Sequence, residues 1–168
     1  LILGSFAANL TGSVDILPDT NDVFFVLDAV ASSIPYHFTG SVIDNVINVS
    51  GDYGLDAQVR MNKKGVDGHF NVRNLPFVVA DLSLIFSTNT NFSYDSDTGP
   101  ELIVNTLEIE KTDATSTVNP KITLSGSGTK YGAQISSISY ADKYSTLEGG
   151  GDLTININDG IFDSAGLS

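Results

Sequence analysis

The sequence predicts an all-β protein of long antiparallel, meandering strands, and three observations carry that prediction. Apolar and polar residues alternate over most of the chain, as they do where successive side chains point to opposite faces of a strand. Clusters of Gly, Asn and Asp punctuate these runs at spacings of about 8–12 residues, the rhythm of a β-meander. Helix signals are weak throughout, so no helix is expected to cover an open sheet. Such a sheet must fold on itself, and the expectation is a curved, taco-like sheet with an apolar interior; a β-sandwich or a β-solenoid is the alternative.

Taken in order, Val23 to Ser33 is the one ambiguous segment; its β-branched and aromatic start favours a buried strand over a short helix. From Val49 to Met61 one parity reads Val49, Gly51, Tyr53, Leu55, Ala57, Val59, Met61 and the other is polar, predicting one long strand with a bend at Gly51 or Gly54. Phe70 and Val72 share a face, as do Leu82, Leu84 and Phe86. Leu107 with Ile109, Ile122 with Leu124, and Leu153 with Ile155 and Ile157 repeat the pattern. Turns are expected at Asn62–Gly65, Asp95–Pro100, Gly126–Gly128, Gly149–Gly151 and Asn158–Gly160, where Gly, Asn and Asp supply positive φ.

Composition narrows the function. Eight basic against 20 acidic residues give a net charge of −12, which disfavours nucleic acid and anionic membrane surfaces but does not repel an uncharged acyl chain. With no cysteine, the chain has no disulfide, zinc-thiolate site or thiol nucleophile. The longest apolar run, Leu75 to Phe86, is broken by Pro76 and Asp81 and is too short for a transmembrane helix. The opening Leu1-Ile2-Leu3-Gly4 lacks a basic leader. Residues 1–168 read as a single β-rich segment excised from a longer repetitive β protein, with cut edges open to edge-strand self-association.

Motifs for catalysis are missing. His37 and His69 have no partner at metal or general-base spacing and read as surface or packing residues. Asp95-Ser96-Asp97 places carboxylates in a turn, but the remainder of a calcium loop is not there, so a solvated turn is the simpler reading. Without Trp, a sugar platform is disfavoured. The expectation is a non-enzymatic chain with no cofactor and no metal, whose chemistry lies in its apolar surface.

Glycine-led strand units carry a resemblance to a known family: Gly51-Asp52-Tyr53-Gly54-Leu55, Gly68 through Leu75-Pro76, and Leu147-Glu148-Gly149-Gly150-Gly151-Asp152-Leu153. With Leu124-Ser125-Gly126-Ser127-Gly128 leading into Ile135–Tyr140, they make the chain look like the TamB and AsmA-like family from Leu10 to Ile157. That resemblance implies a periplasmic β-taco whose groove serves phospholipid transfer, or outer-membrane protein assembly, between inner and outer membranes. It also implies an inner-membrane anchor and a TamA-like outer-membrane barrel partner, both engaged through parts outside this chain. The lipid-groove positions it implies are Tyr53, Leu55, Ala57, Val59, Met61, Phe70, Val72, Leu82, Leu84, Phe86, Leu107, Ile109, Ile122, Leu124, Leu153, Ile155 and Ile157. Two other readings stay open: a structural or adhesive β-module of a surface protein, and a β-barrel carrier of a small apolar ligand.

Overall fold

The computed structural model describes residues 8–31, 33–79, 82–112, 119–129, 132–149, 153–158 and 161–167, the last two segments as backbone only. The strands are β1 (Ala8–Leu17), β2 (Asp22–Ala31), β3 (Ile34–Ile43), β4 (Val46–Gly51), β5 (Leu55–Met61), β6 (Gly65–Val79) and β7 (Leu82–Asp95). They continue as β8 (Gly99–Lys111), β9 (Lys121–Thr129), β10 (Gly132–Ala141), β11 (Thr146–Gly149), β12 (Leu153–Asn158) and β13 (Ile161–Leu167). All thirteen join one sheet, in which β1 to β10 each pair with the next strand in sequence. The far edge of β10 is shared by β11 at one end and β12 at the other, and β13 follows β12.

Every pairing is antiparallel, so a solenoid, whose coils stack in parallel, is set aside. A single sheet also replaces the sandwich alternative, and it is not closed into a barrel.

The loops show why the chain reverses where it does. Asp44 and Asn45 form a two-residue hairpin with φ of 48° and 63°, the left-handed pair that matches strand twist. The expected long strand over Val49–Met61 is instead two strands and a tight turn at Asp52–Gly54, with Tyr53 at φ 59°. A three-residue connection returns Gly51 opposite Leu55 on the same face, so the alternation runs unbroken through the reversal and hides it. Gly126–Gly128 is also not a turn but lies within β9, where a Cβ on Gly126 would meet the Gln134 carbonyl oxygen at 2.4 Å. The turns at Asn62–Lys64 and Ser96–Thr98 fall where expected, whereas Gly150, Gly151, Asp159 and Gly160 lie outside the described residues.

The β4–β5 hairpin is shorter than the strands on either side. Beyond Gly51 and Leu55, the ends of β3 and β6 face each other with no strand between them. Both ends carry a proline, Pro35 on β3 and Pro76 on β6. A strand proline is tolerated where its missing N–H faces no ladder partner. The carbonyls on that same side are met by side chains: Tyr53 Oη donates to Pro35 O at 3.4 Å, and Tyr36 Oη to Pro76 O at 2.8 Å. The His37 N–H, also on this side, donates to Asp52 Oδ2 at 2.8 Å. Three strand spacings in a flat sheet come to roughly 14 Å, too far for one tyrosine to bridge, so the sheet curls tightly here.

Candidate functional site: an apolar trough

Directly opposed residues of an antiparallel pair share a face, so the register assigns every side chain to one of two surfaces. On one, Val14 opposes Phe25, Leu27 opposes Phe38, Val49 opposes Ala57, and Ala57 opposes Phe70. The same face continues through Val72 and Thr88, Phe86 and Ile109, Leu107 and Leu124, and Ile122 and Tyr140. It is apolar from β1 to β11, roughly 50 Å along the curve at about 4.8 Å per strand.

Of the sequence-predicted groove positions, Leu55, Ala57, Val59, Met61, Phe70, Val72, Leu82, Leu84, Phe86, Leu107, Ile109, Ile122 and Leu124 all fall on this face. Tyr53 sits in the turn rather than on a strand and packs edge-on against Tyr36 at 5.8 Å between ring centroids. The side chains of Leu153, Ile155 and Ile157 lie outside the described residues.

The face is largely uncovered. Among the described residues, only Ala31, Val72 and Thr88 are buried. Val14 remains 61% exposed, Leu102 44% and Leu147 71%. At two points an aromatic ring lies over a glycine on the neighbouring strand. A Cβ on Gly40 would come within 2.2 Å of the Phe25 ring, and one on Gly68 within 2.7 Å of the Phe92 ring. Such ring-over-glycine pairs let a sheet bend without opening a void.

Beside the short hairpin the trough holds an open recess of about 380 Å³. Val72 and Ala31 are its most buried residues, and Tyr36, Phe38, Phe70 and Phe77 are its aromatic lining. Tyr36 stacks on Phe38 with 6.3 Å between centroids, and burial raises its phenol above the usual pKa of 10.0. Asp52 is the one charged residue among the described lining.

Phe77 and Leu75 reach this site through a β-bulge that parity reading misses. The register slips between Val72 and Leu75, with Asn74 at φ 54° and its N–H donated to Ser87 Oγ at 2.8 Å. Both 72 and 75 therefore face the trough, and the Leu75-Pro76 pair lies inside β6 rather than at its end. A second slip between Val104 and Leu107 does the same in β8.

The opposite face is more polar, although Phe24, Val26, Val30 and Ile103 stand exposed on it, and it is laced with partly exposed cross-strand pairs. His37 Nδ1 lies 2.7 Å from Asp28, His69 Nε2 3.2 Å from Asp56, and Lys121 Nζ 2.8 Å from Glu108. The bond to Asp28 raises the His37 pKa above 6.5. In the Asp95–Asp97 turn, Asp95 Oδ1 accepts the N–H groups of Asp97 and Thr98, and Asp97 pairs with Lys64 at 2.7 Å. These carboxylates organise the turn, and no group of three or more metal-binding side chains occurs among the described residues.

Compared with protein-family models, curated proteins and solved structures, the chain matches none of them.

Proposed function

We propose that this chain is a non-enzymatic segment of the bacterial envelope whose trough seats lipid acyl chains, in the manner of the TamB and AsmA-like proteins it resembles. One observation carries the reading: an apolar face runs from β1 to β11 with no described element laid over it, and many of its side chains stand open to solvent. Monomers rarely expose contiguous apolar surface on this scale, and where they do it marks binding. A dry structural module would instead bury that face as its core.

The physics of transfer is simple. Each methylene withdrawn from water contributes about 0.8 kcal/mol, so a chain lying along the trough crosses an aqueous compartment at reduced cost. Headgroups remain hydrated at the rims, where the turns place Asp44, Asn45 and Lys64. The periplasm, the route between two membranes and a barrel partner come from the resemblance alone and are part of the proposal.

The test is loading of a fluorescent phospholipid onto the purified chain and onto Leu55→Asp. Leu55 lines the recess, and a carboxylate there carries a desolvation cost against any hydrocarbon occupant. The reading expects saturable loading that the variant loses while its β circular-dichroism signature persists. Equal loading by a folded Leu55→Asp contradicts it.

A further inference from the structure

The recess beside the short hairpin is a bounded part of the trough. It is framed by four strands and the Asp52–Gly54 turn, and its volume of about 380 Å³ sits at the lower end of small-molecule sites. Small apolar cavities of about 150 Å³ already hold a benzene-sized guest in preference to water. The lining suits a hydrocarbon: the phenol of Tyr36 is spent on Pro76 O, and the remaining described lining, Asp52 apart, is aliphatic or aromatic.

Asp52 stands at the mouth, and one of its oxygens is held by the His37 N–H. Among the described residues, no lysine or arginine lines the recess. The stem of Arg73 passes Gly54, and Arg73 lines a separate depression with Ser87, Asn89 and Glu108, while the His37 ring is paired with Asp28. An anionic group brought to the mouth therefore meets a carboxylate with no lysine or arginine in the described lining to offset it.

We infer that the recess takes a single hydrocarbon chain whose polar end is uncharged or cationic, and that Asp52 is the residue discriminating against an anionic end. The inference rests on the acyl-chain reading above and adds a ligand class and a specificity residue to it. It places the terminal methylenes against Val72 and Phe77, with the polar end beside Asp52 at the solvent boundary.

The experiment is calorimetric titration at neutral pH and low salt with three ten-carbon probes: monodecanoylglycerol, decyltrimethylammonium and decanoate. Two unit charges of like sign held several ångströms apart at a part-exposed site differ in affinity by about tenfold from an uncharged pair. Decanoate is expected to bind about tenfold more weakly than monodecanoylglycerol, and Asp52→Asn to remove most of that gap while keeping an oxygen to accept the His37 N–H. Filling the recess with Ala29→Phe is expected to weaken all three probes. Decanoate binding as well as monodecanoylglycerol, with Asp52→Asn changing neither, overturns the inference and leaves the acyl-chain reading standing. Tight binding of every probe that Ala29→Phe does not touch also overturns it, because the chain then lies elsewhere. If none of the probes binds and the phospholipid of the preceding section does not load either, both fall together.

Discussion

The same substitution at two points of one face separates an open trough from a packed core. Val72 is 1% exposed and Val14 61%, and both are valines on strands of the same surface. Val72→Ala removes two fully buried carbons, about 1.6 kcal/mol in transfer at about 0.8 each, and incomplete collapse of the site adds about 1 kcal/mol. A total of about 2–3 kcal/mol lowers the melting temperature of a chain this size by about 5–10 °C. Val14→Ala removes the same atoms from a site already mostly in water, so its cost is about 0.6 kcal/mol, or about 1–2 °C. Urea and thermal unfolding of the two variants, followed by circular dichroism, measure the contrast. Equal destabilisation refutes the reasoning, since β1 would then be packed against something that its exposure does not reveal.

Three further outcomes follow from local geometry. Asn74→Val forces a β-branched residue to positive φ at the β6 bulge and is expected to cost about 1–3 kcal/mol in chemical denaturation, whereas Asn74→Gly is close to neutral. Tyr36→Phe deletes the donor to Pro76 O and is expected to cost about 1 kcal/mol, with faster hydrogen exchange at the ends of β3 and β6 as the sign that the curl has loosened. Two ionisable pairs have opposite pH signatures. Asp142 is held at about 2 by the Tyr140 hydroxyl and the Tyr144 and Ser145 amides, so its contribution is complete above 3.8 and disappears as pH falls towards 2. His37 is raised by Asp28, so its contribution is complete below 6.5 and disappears as pH rises through the folded-state value. Amide exchange at Tyr144 and Ser145, and a His37 proton titration by NMR, check the two directions.

The strands were readable because alternation and the core face share one period. Leu82, Leu84 and Phe86, or Leu107 and Ile109, needed only parity to be placed together. What parity could not supply was every event that adds or removes a residue. The bulges at Arg73-Asn74 and Asn105-Thr106 shift the apolar set from one parity to the other, so Leu75, Phe77 and Val104 belong to the trough unnoticed. The Asp52–Gly54 turn fails in the opposite way, since an odd connection preserves parity and a reversal passes for a bend. The recess was illegible because it depends on a strand that is too short: the missing ladder beside Pro35 and Pro76 brings Tyr36 over to β6. Prolines in two otherwise good strands were the available signal, since each marks a side without a hydrogen-bonding neighbour.

The most direct test of the central claim is native mass spectrometry of the purified chain, followed by lipid extraction from the same sample. The account predicts bound species with the masses of phospholipids, displaced when Leu55→Asp is introduced into a chain that keeps its β structure. A folded, lipid-free protein that also takes up no added phospholipid contradicts it, and the exposed apolar face would then belong to a structural module completed by another surface.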